Sequence, residues 1–306
     1  MAKTILDYVR KPGLLFVTLG HRGWWHWMND ETYLKIAFRS SMGKKLRLDN
    51  PQTYSEKLQW IKLHDRKPEY TAMVDKHEAK KIAAELIGDE YIIPTLGVWD
   101  RFKEIDFDSL PNQFVLKCTH DSGGLVIVKD KNKMDMKAAK KKITTCLRHN
   151  FFWMGREWPY KDIQPKIIAE QYMEDAETGK LPDYKFFAFN GEVKALFIAT
   201  ERGTKDGTKF DFFDADFNHL PFINGYPNAK VTPKKPAQFE LMKELASNLS
   251  AGIPQIRIDL YEVNGRVYFG EFTFFHWSGF KPFEPEEWDH IFGKWIKLPQ
   301  KRGRLE

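Results

Sequence analysis

Residues 256–273 admit few folds. Ile256, Ile258 and Leu260 alternate with Arg257 and Asp259, Asn264-Gly265 follows, and a second alternating run leads to Glu271 and Thr273. Asn-Gly between alternating apolar runs specifies a tight hairpin, because both residues accept the positive φ of a type I′ turn. Pairing about that turn sets Asp259 opposite Glu271 or nearly so, on one face of a sheet. Two carboxylates in an apolar setting repel unless something positive lies between them. One solution is Mg²⁺, which takes one or two carboxylates and leaves its other positions to substrate phosphates and water.

The rest of the chain has to supply what such a hairpin needs. With 306 residues, 42% of them hydrophobic, it can form one large core or two to three lobes sharing a ligand cleft. Cys118 and Cys146 are its only cysteines and lack metal-type spacing, which argues against a disulfide framework and for a reducing, cytosolic compartment. The apolar run 14–20 is too short to span a bilayer and lacks a following cleavage signal. A net charge of +6 suits an acidic partner such as a nucleotide, an anionic polymer or a lipid surface; no nucleic-acid partner is expected. Aromatic clusters at Trp24-Trp25-His26-Trp27, Phe151-Phe152-Trp153 and Phe274-Phe275-His276-Trp277 read either as core or as a sugar- or lipid-facing surface.

In order along the chain, residues 1–48 read as helical and basic. They form either a lobe packed on the rest or a segment lying on an anionic membrane, with tryptophan at headgroup level. Thr53 or Ser55 caps a helix to about Leu63. A second helix is expected from Tyr70 to Leu86, closed by Gly88, with Asp75-Lys76 mid-helix on a polar face. Residues 91–99 read as a strand with a turn. Two β-rich runs, 113–118 and 125–128, flank the small and polar loop 119–124, the pattern of a flexible flap. Its glycine amides can bend round phosphates, and Lys117 adds a point charge. A lysine-rich helix over 134–149, an irregular loop 150–165, a strand at 167–171 and a hairpin turning at Asn190-Gly191 follow. A helix over 233–249 delivers the chain to the opening hairpin, and a short capped helix ends near Trp295.

From about Asn29 to Trp295 the sequence resembles the ATP-grasp superfamily, more narrowly its TupA-like branch, found with surface-polysaccharide biosynthesis. The resemblance is carried by Tyr54-Ser55-Glu56-Lys57-Leu58 with Trp60 and Leu63, by Phe114 to Cys118 with Ser122-Gly123-Gly124, by Asp183-Tyr184-Lys185, and by Phe283-Glu284 with Trp288. It implies an α+β ATP-grasp fold, ATP held between two α+β lobes, preceded by a helical N-terminal region. The implied divisions are that helical region over 1–68, an N-terminal α/β lobe over 69–110, a small lobe with the flap over 111–175, and a large lobe with the hairpin over 176–306.

The resemblance also implies roles. Lys117 would hold phosphate oxygens, Lys76 would be a second phosphate contact, and Ser122, Gly123 and Gly124 would close over the triphosphate. Glu170 would accept from the adenine amino group, with the backbone of Gln171 and Met173 reading the ring. Asp259 and Glu271 would ligate Mg²⁺ with Thr273, which stands where many relatives carry Asn. Arg257 would stabilise the transferred phosphoryl group, and Lys185 would bind the substrate's carboxylate or phosphate. His120 and His276 read either as acid–base groups or as hydrogen-bonded structural residues.

The implied chemistry uses ATP and Mg²⁺ to join a carboxylate, such as a uronic acid or polysaccharide precursor, to an amine through an acyl phosphate. The expected place is the cytoplasm, at the inner face of the membrane, with peripheral contact through the N-terminus. The alternatives are a sugar kinase or glycosyl-modifying transferase, and a non-catalytic glycan- or membrane-binding module. The set Lys117, Asp259 and Glu271 speaks against the last.

Overall fold

The computed structural model describes residues 12–121, 123–177, 179 and 181–300. The N-terminal eleven residues of the basic segment and Ser122 of the flap lie outside them.

Alternating apolar runs joined by short turns build two antiparallel sheets. The smaller has four strands, β1 (Thr95–Trp99), β2 (Phe114–Cys118), β3 (Leu125–Val128) and β4 (Ile167–Gln171), in the order β1-β4-β2-β3. The larger contains β5 (Asp183–Phe189), β6 (Glu192–Thr200), β7 (Lys209–Asp214), β8 (His219–Leu220), β10 (Ile256–Val263) and β11 (Arg266–Thr273), in the order β11-β10-β5-β6-β7-β8. A two-stranded ribbon pairs β9 (Ile223–Asn224) with β12 (Phe283–Glu284). The two Asn-Gly turns behave as their chemistry requires: φ is 54° and 85° at Asn190 and Gly191, and 51° and 75° at Asn264 and Gly265.

The helices of six residues or more are α1 (Pro12–Gly20), α2 (Asp30–Met42), α3 (Tyr54–His64), α4 (Glu69–Val74), α5 (Glu78–Ile87), α6 (Met136–Leu147), α7 (Phe239–Leu249) and α8 (Glu287–Trp295), and a single helical turn, Phe152–Gly155, stands in the loop expected over 150–165. One core joins α2 to α5, α7 and α8 to the larger sheet. A second, smaller core joins β2 and β4 to α6.

Helix α3 starts at a capping box in which Thr53 Oγ1 accepts from Glu56 N–H and the Glu56 carboxylate accepts from Thr53 N–H. Besides Leu58, Trp60 and Ile61 it buries Glu56, Gln59 and Lys62. The polar side is covered because α8 and the turn His276–Gly279 pack against it. Lys62 Nζ donates to Gly155 O, Ser278 O and Ser278 Oγ, each at 2.8 Å, and Gln59 donates to Ser278 O at 3.0 Å. These bonds hold Trp277 and Ser278 at φ of 50° and 56°, left-handed values that a non-glycine residue keeps only when its surroundings impose them. Helix α3 thereby fixes the turn that carries His276.

The structure departs from the sequence expectations at several element boundaries. The single helix expected over 70–86 is two, because Asp75 has extended backbone and its Oδ1 accepts from His77 and Glu78 N–H. Lys76 N–H goes instead to Thr119 O at 2.9 Å. Asp75-Lys76 is therefore a junction between helices and not a solvated mid-helix face. The helix expected from Pro233 begins at Phe239, after both prolines, and the strand expected over 91–99 begins only at Thr95. The C-terminal helix α8 has no side-chain cap. In the aromatic N-terminal cluster Trp25 packs on the core and donates to Phe16 O, whereas Trp24 and Trp27 are 64% and 77% exposed. No helix among the described residues is long and apolar enough to cross a membrane.

Candidate active site

Register places the polar residues of the large sheet. Asp259 pairs with Glu271 on β11 and with Lys185 on β5, while Arg257 pairs with Thr273 and Tyr261 with Asp183. One face of three neighbouring strands therefore carries Asp183, Lys185, Arg257, Asp259, Glu271 and Thr273. The cations between the carboxylates are side chains. Lys185 bonds Asp259 and lies 2.8 Å from Asp183, and Arg257 grips Asp259 through Nε–Oδ1 at 2.6 Å and Nη2–Oδ2 at 2.8 Å. Arg257 Nη2 also donates to Thr273 Oγ1 at 3.0 Å and lies 3.5 Å from Glu271. Glu271 is only partly buried, which mildly opposes its ionisation, and Lys76, Lys185 and Arg257 together hold its carboxyl below the usual range.

Two facing carboxylates and a hydroxyl form an all-oxygen set that suits a hard cation such as Mg²⁺. Among the described residues no group of three or more His, Cys, Asp or Glu could hold a metal alone, so phosphate or water would complete the shell.

Across the cleft, the small sheet presents a second charged centre. Glu170, 4% exposed, lies 2.6 Å from Lys80 Nζ and 2.5 Å from Lys117 Nζ. Burial would raise its carboxyl, and the two lysines outweigh it, so that Glu170 stays ionised below its ordinary value. Lys117, Glu170, Gln171, Met173 and Tyr261 of β10 are among the residues that line a cavity of about 360 Å³. The cavity has the scale of a small-ligand pocket.

Some expected roles meet different partners here. The Glu170 carboxylate, expected on an adenine amino group, is held by two lysines, and Lys117, expected on phosphate, is one of them. The Gln171 amide donates to Pro94 O. The amides of Gly123 and Gly124, expected round a triphosphate, both donate to Asp121 Oδ1, at 2.7 and 2.8 Å. An anion does sit in that loop, and it is the chain's own. Lys76 Nζ donates to Asp121 O at 2.5 Å and lies 4.0 Å from Glu271, which ties the flap to the hairpin. Sequence reasoning missed Lys80. No local pattern marks it, because Glu170 reaches Lys80 only through the fold.

The two histidines separate clearly. Arg257 Nη1 can only donate, so His276 Nδ1 accepts at 2.9 Å and Nε2 carries the proton to Asn224 Oδ1 at 3.0 Å. Burial, then Arg257 and Lys185, hold His276 neutral well below the usual histidine value. His120 donates from Nε2 to His149 O at 2.8 Å, and its Nδ1 is buried without a partner. The unfolded chain regains an ordinary histidine, so it takes up the proton first on acidification. His276 thus contributes stability that is complete above about pH 6.5 and lost below it, at up to ~1.4 kcal/mol per pH unit. The difference in unfolding free energy between the wild type and His276→Asn should shrink between about pH 6.5 and about pH 5. Urea denaturation across that range checks this, and a constant difference would show that His276 does not change protonation on unfolding.

Two antiparallel sheets closing on a cleft lined by lysines and carboxylates have the architecture of an ATP-grasp fold. The family model described as TupA-like ATP-grasp matches residues 56–297, and the chain belongs to that family. Similar solved structures include the D-alanine–D-alanine ligase of Bacillus anthracis complexed with ATP, at 15% identity and TM-score 0.38, covering 71% of this chain and 56% of that one. The L-amino acid ligase of Bacillus licheniformis gives 14% and 0.41, covering 84% and 54%. A D-cycloserine synthetase gives 15% and 0.42, covering 74% and 70%. The chain thus spans little more than half the length of the first two. No curated protein sequence matches it.

Proposed function

We propose that this chain is an ATP-dependent carboxylate–amine ligase that adds an amine or amino acid to a uronic acid or similar acid in cell-surface polysaccharide assembly. The observation that carries the reading is the pairing of Asp259 with Glu271 in one register, beside Arg257 and Lys185 and across the cleft from Lys80, Lys117 and Glu170. Adenine would lie in the cavity beside Gln171, Met173 and Tyr261, with Lys80 and Lys117 toward the phosphates. The flap residues Ser122, Gly123 and Gly124 and the side chain of Lys76 would close over them. Asp259, Glu271 and Thr273 would hold Mg²⁺, which when bound neutralises charge on the phosphate oxygens.

The reaction balances in two steps. A substrate carboxylate oxygen attacks the γ-phosphorus, and ADP leaves with the bridging electron pair. The amine then attacks the acyl carbon, phosphate leaves, and the amine gives up a proton. Arg257, fixed by Asp259 and His276, would meet the transferred phosphoryl group, and Lys185 the acceptor's anionic end. Positioning and charge carry such catalysis, so no side-chain nucleophile is required.

A screen of uronic acids and nucleotide sugars crossed with amino acids tests the reading. ADP should appear only when acid and amine are both present, and the product mass should equal their sum less water. ADP release with one acceptor and a product heavier by a phosphoryl group would make the protein a kinase. The proposal includes peripheral contact with an anionic membrane, supported by exposed Trp24 and Trp27 beside the basic N-terminal segment. Trp24→Ser/Trp27→Ser should reduce sedimentation with anionic liposomes, and equal pelleting would remove that part.

A further inference from the structure

Arg202, just past the end of β6, lines the same cavity as Lys117, Glu170, Met173 and Tyr261, and among the described residues it is the only arginine that does. No local motif marks it. The backbone on either side is left-handed, with φ of 55° at Glu201 and 73° at Gly203. A glutamate keeps such a φ only where its surroundings impose it, and strain of this kind gathers where a side chain has to be aimed.

Arg202 is held by one bond. Its Nη2 donates to Asp183 Oδ2 at 2.8 Å, the oxygen that Lys185 also approaches at 2.8 Å, while Oδ1 of the same buried carboxylate has no partner. This is not the fork that Arg257 closes on Asp259. One acid is shared by two cations, so the charge of Arg202 is only partly cancelled. The guanidinium is half exposed and has no other hydrogen bond or ion pair among the described residues, which leaves most of its N–H donors uncommitted.

Register fixes where those donors lie. Asp183 stands opposite Tyr261, next on the same face to the Lys185–Asp259 pair. Tyr261 lines the cavity, and Asp259 faces Glu271 in the hairpin. A ligand that reaches from the cavity to the hairpin carboxylates therefore passes Arg202. A planar guanidinium presents paired N–H groups that match two phosphate oxygens, a geometry an ammonium lacks.

We propose that Arg202 is a phosphate-binding residue, resting on Asp183 and giving its free N–H groups to the phosphate chain of the nucleotide where that chain leaves the cavity. The proposal rests on the nucleotide part of the ligase reading and adds to it a specificity-determining side chain, one that separates a nucleotide from its nucleoside.

The test is calorimetric titration of Mg-ATP into the full-length wild type, Arg202→Ala and Arg202→Lys at several salt concentrations, with adenosine as a competitor. Arg202→Ala should weaken Mg-ATP about tenfold or more, flatten the salt dependence, and leave competition by adenosine unchanged. Arg202→Lys should fall between the two, because it keeps the charge and loses the fork. Both variants should unfold at the wild-type urea midpoint, since the pair with Asp183 is half exposed. Unchanged Mg-ATP affinity in Arg202→Ala, a loss whose salt dependence matches the wild type, or an equal loss for adenosine would overturn the assignment while leaving the nucleotide site in place. Absence of Mg-ATP binding by the wild type would instead overturn the reading on which it rests.

Discussion

Asp259→Asn is expected to cut Mg-ATP turnover by at least about a hundredfold, the scale set by losing one preorganised charge contact at a reacting centre. Asp259 is 1% exposed and is the shared partner of Lys185 and the Arg257 fork. The amide keeps the shape and removes the charge, leaving two buried cations with Asp183 and the half-open Glu271 as their remaining acids. Removing one partner of a buried pair costs about 3 kcal/mol or more, so the variant should also unfold at lower denaturant. Glu271→Gln separates the effects. Its side chain is 38% exposed, so it should lose turnover with a smaller loss of stability. Denaturation curves and ADP release on both variants check this, and unchanged turnover in both would remove the hairpin from the active site.

Glu170→Gln is expected to weaken Mg-ATP binding about tenfold or more and to lower stability by about 3 kcal/mol. Lys80 sits on α5 and Lys117 on β2, so this carboxylate joins the helix to the small sheet as well as ordering the two ammonium groups proposed to meet phosphate. Lys80 is anchored further through Ile93 O at 2.7 Å. Replacing Glu170, Lys80 and Lys117 together with Met should restore much of the stability, because packed apolar groups replace a buried ion triad at little cost. It should not restore ATP affinity. Recovery of both together would mean that the triad is structural and does not touch nucleotide.

How much of this was legible in the sequence depended on range. The opening hairpin, its facing Asp259 and Glu271, and the capping box at Thr53 are governed by turn and cap chemistry within a few residues, and each formed where those rules place it. Charged residues were harder. Nothing local marks Lys62 and Glu56 for burial, yet both are buried because α8 and the turn after β11 arrive from more than 200 residues away. Lys80 likewise meets Glu170 only once β4 has joined β1. The break at Asp75 combines its local bonds from His77 and Glu78 with a bond from the Lys76 amide to Thr119 O, and the second is a contact no local pattern carries. The same holds for the cations between Asp259 and Glu271. Electrostatics required a positive charge there, and the fold supplies Arg257 and Lys185 in addition to any metal.

On the proposed reading one nucleotide bridges the Glu170 centre and the Asp259–Glu271 centre. Calorimetric titration of ATP into the wild type, Glu170→Gln and Asp259→Asn, each with and without Mg²⁺, tests it most directly. The wild type should bind saturably at up to about 1 mM ATP, within the usual range for enzyme substrates. That binding should be strengthened by Mg²⁺, weakened in Glu170→Gln, and stripped of its Mg²⁺ dependence in Asp259→Asn. Wild-type affinity and Mg²⁺ dependence retained in both variants would contradict it.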